Sequence, residues 1–361
     1  MPAETDAGQK LYSPGALRYL GAMRTVVFRG ILLAALGLGS GCAHHGGAAA
    51  PARVAAQPAP SPTGNPFAGI AVFRTPYSNA ENAQRRLEKS DPAQAALVGK
   101  IAAQPQATWY GSWSGADPKT AVTNYVNAAE RAGQLGLMVL YNVPNRDCGQ
   151  YSAGGARDDD SYLEWVRGVA AGIGKRRAAV ILEPDALGLL TACLSPEDQT
   201  KRLELLHQAV RALALNPGTA VYIDAGHSHW APAEEMAERL KRAGIEDARG
   251  FALNTSNFRP DEELIPFGKK LVELLGGKPH FIIDSSRNGN GAAAADDPQE
   301  WCNPEGRALG RAPTVDTGDP AIDAFVWVKR PGESDGECKG GPAAGQWFEA
   351  RALEMARNAK W

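Results

Sequence analysis

Short apolar runs alternate with helix-like stretches over most of the chain, and this alternation restricts its fold more than any other feature. The apolar runs lie at 69–73, 107–110, 137–143, 179–182, 220–223, 250–253, 281–283 and 325–328. The helix-like stretches lie at about 79–103, 118–135, 159–175, 196–215, 232–243, 260–275 and 345–358. Continuous apolar strands joined by helices are typical of parallel sheets that are covered on both faces. The single alternating run at 65–361 therefore predicts an α/β fold, a single distorted (β/α) barrel of mostly parallel strands.

The residues before this run lack the alternation and have the pattern of targeting and linker sequence. Arg24 and Arg29 precede a short apolar segment at 31–38, which is too short to span a bilayer, and the small residues Ser40-Gly41-Cys42 follow it. We interpret 1–42 as an N-terminal extension with a signal or lipoprotein-type peptide. Cys42 is a candidate lipid anchor, and the alternatives are ordinary cleavage nearby or an uncleaved anchor. The Ala- and Pro-rich segment 43–64 is predicted to be an extended linker.

Four further cysteines lie in the alternating run, and export makes disulfides the first interpretation of them. They are Cys148, Cys193, Cys302 and Cys338, which allow three pairings. Pairing of sequence neighbours would stabilise the fold by about 4 kcal/mol per bridge in the chain-entropy model. Zinc is the alternative, but the sequence has no CxxC pair and no ligand-spaced His–Cys cluster. We therefore expect no metal and no cofactor, and a secreted or extracytoplasmic protein that a lipid on Cys42 could tether to the membrane.

Polar side chains cluster directly after the apolar runs, where (β/α) barrels place their active sites. Six strand ends carry them: Arg146 and Asp147; Glu183 and Asp185; Asp224, His227 and His229; Asn254 and Asn257; Asp284 and Arg287; Lys329, Glu333 and Asp335. A single Asp or Asn there would more often cap the next helix. Six strand ends of this kind are hard to explain by capping alone, so the sequence predicts a polar site at one end of the barrel.

The residue types in this set favour carbohydrate chemistry. Carboxylates can supply the acid and the base for glycosidic cleavage, and exposed tryptophan rings can stack on sugars. Trp109, Trp113, Trp230 and Trp301 are the stacking candidates. The sequence shows no nucleophile elbow and no phosphate-binding loop. A net charge of −2 leaves no basic excess for phosphates, so nucleic acid is not an expected partner.

Two long motifs in this region resemble glycoside hydrolase family 6, a family of inverting cellulases. They are VLYNVPNRDCGQYSAGG at 139–155 and AVILEPDALG at 179–188. Shorter matches are DAGH at 224–227, DSSRNGNG at 284–291, WCN at 301–303, DTGD at 316–319 and FVWVK at 325–329. The resemblance covers about 65–361. It implies a distorted barrel with fewer than eight closed strands and the disulfides Cys148–Cys193 and Cys302–Cys338.

The resemblance also implies roles for individual residues. Asp185 matches the general acid, Asp147 the aspartate that helps keep that acid protonated, and Asp335 the proposed base. Tyr141 matches the tyrosine beside the distorted sugar ring. The remaining matches are sugar-binding positions: Lys329 and Glu333 beside the cleaved bond, Trp109, Trp230 and Trp301 as stacking platforms, and His227 and Asn254 as polar site residues. We expect the like charge of Asp147 to help Asp185 hold its proton near neutral pH.

Taken together, these matches predict a secreted, monomeric endo-β-1,4-glucanase that binds cellulose or cello-oligosaccharides and inverts the anomeric configuration. The short segment between Cys338 and Gln346 favours an open cleft, and hence an endoglucanase over a cellobiohydrolase. A hydrolase of another β-glucan and a non-catalytic glucan-binding lipoprotein on the same fold are the alternatives. A metal-dependent deacetylase would need Asp224, His227 and His229 as ligands.

Overall fold

A computed structural model describes residues 64–115, 117–294 and 296–361, and a single parallel sheet lies at its centre. The strands are Thr108–Tyr110 (β1), Gly136–Leu140 (β2), Ala178–Leu182 (β3), Thr219–Asp224 (β4), Gly250–Leu253 (β5), His280–Asp284 (β6) and Ile322–Val326 (β7). Each strand pairs in parallel with the next one along the chain, from β1 to β7. Crossovers between parallel neighbours are right-handed as a rule, and a series of them curls a sheet in one direction. This sheet forms a half-barrel.

The two edges of the half-barrel approach each other just outside β1 and β7. The Ala107 amide donates to the Trp327 carbonyl at 2.9 Å, and the Arg330 guanidinium donates to the Ala107 carbonyl at 2.9 Å. No ladder joins β1 to β7 in the described residues. The prediction of a distorted barrel is confirmed, and these few bonds replace the missing closure.

Helices cover the outside of the sheet at nearly all the predicted places. They are Asn79–Ser90 (α1), Pro92–Ala102 (α2), Pro118–Arg131 (α3), Asp159–Ile173 (α4), Leu190–Cys193 (α5), Pro196–Ala214 (α6), Ala233–Arg242 (α7), Asp261–Leu274 (α8) and Glu349–Asn358 (α9). The stretch predicted as one helix at 79–103 is two helices. Asp91 leaves helical geometry (φ −153°), and its carboxylate accepts the Gln94 amide at 3.0 Å and so caps the second helix. The short helix α5 was not predicted.

The apolar run at 69–73 is not a strand, so the prediction of eight strand-like runs is wrong by one. It contributes only an isolated bridge between Val72 and Leu135. The segment lies across the amino-terminal end of the half-barrel, where the Asn65 side chain donates to the Asp323 carbonyl at 2.6 Å. Phe67 is fully buried there, with its ring 6.2 Å from the ring of Tyr222. Its apolar residues therefore close one end of the barrel interior instead of extending the sheet.

Two disulfides are present, Cys148–Cys193 and Cys302–Cys338, both in connections that follow the carboxyl ends of the strands. The first joins the loop after β2 to α5, and the second joins the long β6–β7 connection to the loop after β7. None of the helices in the described ranges is long and apolar enough to cross a membrane. The interpretations of 1–42, 43–64 and Cys42 concern residues outside the described part, except for Gly64.

Candidate active site

A cleft runs over the carboxyl ends of the strands. Its central compartment, of about 730 Å³, is lined by Trp109, Tyr141, Asp147, Gln150, Ser152, Asp185, Leu189, Trp230, Ser256, Asn257, Trp301, Lys329 and Asp335. Eight of the eleven side chains predicted as catalytic or substrate-binding are in this set. A second compartment, of about 1120 Å³, shares Trp109, Tyr141, Ser152 and Lys329 with the first and adds Glu333. The fold thus brings together residues that are up to about 230 positions apart in the sequence.

Unusual backbone conformations concentrate around this cleft. Nine non-glycine residues of the described ranges have positive φ, and all of them lie in the loops at the carboxyl ends of strands or in the β6–β7 connection. They are Asn145, Asp147, Cys148, Glu183, Asp185, Asn254, Ser256, Asn303 and Lys339. A side chain in this region costs on the order of 1–3 kcal/mol and persists only where its surroundings hold it. Such clustering is typical of functional sites, and it independently marks this end of the barrel.

Asp185 lies at the centre of the cleft in a setting that favours its neutral form. Its Oδ2 accepts the Tyr141 hydroxyl at 2.9 Å, and its amide donates to the Asp224 carboxylate at 3.2 Å. Burial, together with the charges of Asp224 and Asp147, raises the pKa of Asp185 to about 8. The interpretation from the sequence named only Asp147 as the cause. The structure shows that burial and Asp224 contribute more.

Asp147 follows the arginine that shapes its loop. The Arg146 guanidinium donates to three carbonyls, those of Tyr141 at 2.7 Å, Ser152 at 2.6 Å and Ala153 at 3.0 Å. The Ser152 amide in turn donates to the Asp147 carboxylate at 2.7 Å. Burial raises the pKa of Asp147, although this hydrogen bond and Arg146 oppose it. The loop therefore holds a second carboxyl group at the cleft, on the same side as Tyr141.

Asp335 has the opposite electrostatic environment. Its two carboxylate oxygens each lie 2.9 Å from one guanidinium nitrogen of Arg287, and the Lys329 ammonium lies 3.1 Å from one of them. Burial by itself would raise the pKa of Asp335, but Arg287 and Lys329 outweigh it and the pKa is lowered. The group is therefore ionised at neutral pH. It can accept a proton only if these ion pairs loosen.

Asn303 was not selected from the sequence, although it lies inside the WCN motif. Its side-chain oxygen accepts the Asp335 amide at 2.9 Å, and its own amide donates to the Asp335 carboxylate at 3.1 Å. Its side-chain nitrogen donates to the Gly336 carbonyl at 2.9 Å. Asn303 thus fixes both the backbone and the carboxylate of Asp335 beside the Cys302–Cys338 disulfide. The sequence contains the motif, but it does not show that Asn303 contacts Asp335, which lies 32 positions further along the chain.

Three buried acidic residues at strand ends accept hydrogen bonds from backbone amides of the neighbouring loops. Glu183 accepts the amides of Asn142 at 2.9 Å and Val143 at 2.9 Å, and burial raises its pKa to about 7. Asp284 accepts the amides of Ser256 at 3.1 Å, Val328 at 3.1 Å and Lys329 at 2.9 Å. Asp224 accepts those of Asp185 and Gly226.

The sequence showed these three acids at strand ends but did not separate them from residues that face the cleft. Each of them is part of the cleft wall and accepts hydrogen bonds from loop amides that would otherwise be buried without partners. Their signal in the sequence, an acid directly after a continuous apolar run, is the same as that of a residue in the cleft.

The tryptophans of the cleft are only partly buried. The Trp109 indole donates to the Val328 carbonyl at 2.9 Å and meets Tyr141 edge-on at 5.5 Å. Trp230 packs on the His227 ring at 4.5 Å, and Trp301 lies 6.0 Å from the Tyr151 ring. Each tryptophan therefore keeps some surface for a ligand.

Two of the predicted site residues lie behind the cleft wall. His227 is buried, and burial lowers its pKa to about 3, so its ring is neutral. Asn254 is fully buried, where it donates to the Asp284 carbonyl at 2.8 Å and accepts the Arg259 amide at 3.0 Å. Neither side chain lines the cleft compartments described above.

A metal centre has little support in the described ranges. Asp224, His227 and His229 do not converge, since the His229 ring contacts Glu263 at 3.0 Å instead. The one group of suitable side chains there is His207, Glu246 and Asp247, which lies away from the cleft.

The comparisons with known proteins agree with this geometry. The sequence profile described as "Glycosyl hydrolases family 6" matches residues 67–359. Endoglucanase A of Cellulomonas fimi is 48% identical over 74% of this chain, which spans only 57% of that relative's length. Endoglucanase 1 of Streptomyces halstedii is 40% identical over 77% of this chain and 87% of its own. The solved structure of the endoglucanase Cel6 from Mycobacterium tuberculosis, in complex with methyl-cellobiosyl-4-deoxy-4-thio-β-D-cellobioside, superposes with a TM-score of 0.77. It is 42% identical and covers 81% of this chain and 99% of its own.

Proposed function

Because the chain belongs to the glycosyl hydrolases of family 6, we propose that it is an inverting endo-β-1,4-glucanase that cleaves internal bonds of cellulose and cello-oligosaccharides. The observation that carries this proposal is Asp185. It is a carboxyl group held in its neutral form at neutral pH, in a cleft lined by partly exposed tryptophans. A neutral acid beside stacking surfaces is what protonation of a glycosidic oxygen requires.

In the proposed reaction Asp185 gives its proton to the oxygen of the glycosidic bond as that bond breaks. The Tyr141 hydroxyl holds the carboxyl group in position at 2.9 Å, beside the sugar ring that takes on positive charge. A water molecule attacks the anomeric carbon from the opposite face, so the configuration inverts. The leaving chain departs as a neutral hydroxyl, and Asp185 remains as a carboxylate.

The attacking water must lose a proton, and we propose that this proton passes to Asp335, directly or through a short water chain. Asp335 lines the same compartment as Asp185 and is ionised. Its ion pairs with Arg287 and Lys329 make it a weak base in the resting geometry. A bound sugar that draws Lys329 away would strengthen it. Asp147 supports the reaction by raising the pKa of Asp185 and by offering a second carboxyl group to the water chain.

We propose that substrate binding divides between the two compartments. Trp109, Trp230 and Trp301 stack on sugar units, and Lys329 and Glu333 bind hydroxyl groups beside the cleaved bond. His227 and Asn254 contribute indirectly. His227 supports the Trp230 ring from behind, and Asn254 holds the loops after β5 and β6 together.

Internal cleavage is favoured over release of cellobiose from chain ends. The relatives at 40–48% identity are named endoglucanases, whereas relatives named cellobiohydrolases are about 28% identical. The segment between Cys338 and Trp347 is short, and Trp113 and Tyr151 in the neighbouring compartment remain 54% and 41% exposed. A cleft that leaves such rings exposed can admit the middle of a chain.

The test uses the full-length protein, cellohexaose and soluble carboxymethyl cellulose. We expect fresh α-anomer in the first proton NMR spectra and a rapid fall in viscosity relative to reducing ends released. Asp185→Asn should abolish both, whereas Asp160→Asn, which changes an exposed carboxylate on α4, should alter neither. Fresh β-anomer would contradict inversion. Saturable binding without cleavage would support the glucan-binding alternative instead.

The pH dependence gives a separate prediction. Asp185 must be protonated to act, so kcat/KM should hold from neutral pH to pH 8 and fall as the pH rises above about 8. Asp224→Asn removes the larger of the two charges that raise this pKa. We expect the alkaline fall in kcat/KM, which reports on the free enzyme, to move to lower pH by on the order of one pH unit in this variant. A pH–rate profile of kcat/KM measures this, and a fall that does not move would show that Asp185 does not govern it.

We also propose that the protein is exported and that Cys42 carries a lipid. Two disulfides in the folded domain support an oxidising compartment. The small residues before Cys42 support lipidation. Labelling with a palmitate analogue should mark the full chain, and Cys42→Ser should remove the label and release the protein from the membrane fraction. Label that persists in Cys42→Ser would place the lipid elsewhere.

A further inference from the structure

Two strongly exposed aromatic side chains face the same compartment of the cleft. Six large hydrophobic residues of the described ranges are strongly exposed, and Trp113 and Tyr151 are the pair that lines the compartment containing Glu333. Single exposed aromatic residues are common on protein surfaces, but two in one concavity form a patch. Trp113 does not line the central compartment that holds Asp185. No role in the proposed reaction explains it.

The indole of Trp113 is held in position although it is exposed. Gly111 lies directly against the ring, and a Cβ at that position would come within 2.5 Å of it. The Arg146 guanidinium stacks over the ring at 4.8 Å from its centroid and over the Tyr141 ring at 4.7 Å. Arg146 is itself fixed by three carbonyl acceptors. The ring is therefore a supported surface, and little ordering would be required when a ligand binds to it.

The groups around Trp113 suit a neutral polyhydroxy ligand. Asn79, Glu333 and Gln346 line the same compartment, together with Arg330. The Asn79 amide donates to the Glu333 carboxylate at 2.8 Å, which orients both groups. Amide and carboxylate groups around one apolar ring can bind the hydroxyls of a pyranose while the ring covers its C–H face. The compartment is continuous with the catalytic one through Trp109, Tyr141 and Lys329.

We propose that Trp113 is the stacking platform of an outer glucose-binding subsite, at the end of the cleft that contains Glu333. This inference rests on the proposed function, because the ligand is a continuation of the β-glucan chain whose cleaved bond lies beside Asp185. The platform binds a sugar unit that a short oligosaccharide does not reach. It therefore makes the rate depend on chain length and selects which bond of a longer chain lies at the acid.

The test measures kcat/KM of the full-length protein on cellotetraose, cellopentaose and cellohexaose, together with the product ratios. Trp113→Ala should lower kcat/KM on cellohexaose by roughly fivefold to tenfold, the scale of one lost aromatic contact, and change the cellotetraose value less than about twofold. The product ratio from cellohexaose should shift, and Trp113→Phe should restore most of the rate. Tyr77→Ala is the control, since Tyr77 is 81% exposed and lines neither compartment.

Equal losses on all three substrates would overturn the proposal, because they would show that Trp113 only supports Arg146 and the Asp147 loop. Unchanged rates on all three would overturn it as well. If the unmodified protein cleaves none of them, the proposed function fails and the subsite is judged by calorimetric binding of cellohexaose. Weaker binding by Trp113→Ala than by Tyr77→Ala would then support the platform, and equal binding would reject it.

Discussion

Asp185→Asn is expected to lower kcat on cellohexaose by about 10²–10⁴-fold, the contribution of a well-placed general acid. The asparagine keeps the shape of the side chain and can still accept the Tyr141 hydroxyl, so KM should change little. A 2,4-dinitrophenyl cellobioside needs no protonation of its leaving group, and its hydrolysis should fall far less. Equal losses on the two substrates would mean that Asp185 is needed for structure and not as an acid.

The same substitution is expected to stabilise the folded protein. The pKa of Asp185 is raised from 3.8 to about 8, so between these values the unfolded chain loses a proton that the folded one keeps. Stability therefore falls as the pH rises through this window, and a neutral amide removes that loss. At pH 7.5 we expect the free energy of unfolding of Asp185→Asn, measured with urea, to exceed that of the unmodified protein by on the order of 1–2 kcal/mol. At pH 4 the two should differ little. Asp160→Asn should show neither effect.

Arg287→Met is expected to lower the free energy of unfolding at pH 7 by about 3 kcal/mol, because it leaves a buried carboxylate with one fewer cation. The side chains of Arg287 and Asp335 are 3% and 6% exposed. Methionine keeps much of the apolar contact with the Phe258 ring, which lies 4.1 Å from the guanidinium. The loss should shrink as the pH falls through the lowered pKa of Asp335, since the pair contributes only while that group is ionised.

Two further variants distinguish this pair from a general packing defect. Arg287→Met combined with Asp335→Asn should recover part of the lost stability, since no buried charge then lacks its partner. Arg86→Met removes an exposed ion pair with Glu349 and should cost less than about 1 kcal/mol. Urea unfolding measures all of these. If the double variant is no more stable than Arg287→Met alone, the loss comes from packing and not from the charge on Asp335.

The sequence was sufficient for the parts of this protein that depend on local pattern. The alternation of apolar runs and helices predicted all seven strands to within three residues at each end, and it placed Asp185 and Asp335 after β3 and β7. It failed for one short apolar segment, whose composition suits either a strand or a segment that fills the end of the barrel. The run at 69–73 has the composition of a strand, but Phe67 beside it fills the end of the barrel, and only the three-dimensional arrangement distinguishes these two uses.

Sequence by itself therefore determined the α/β architecture, the end of the barrel that carries the site and most of the residues that line it, because periodicity and strand ends are local properties. Only the tertiary structure decided the protonation states and the division between cleft and wall. Asp185 is neutral because it is buried and because Asp224, 39 positions away, lies beside it, and Asp335 is ionised because Arg287, 48 positions away, pairs with it. Charge and burial act through space over a few ångströms, and the linear order of residues does not contain those distances.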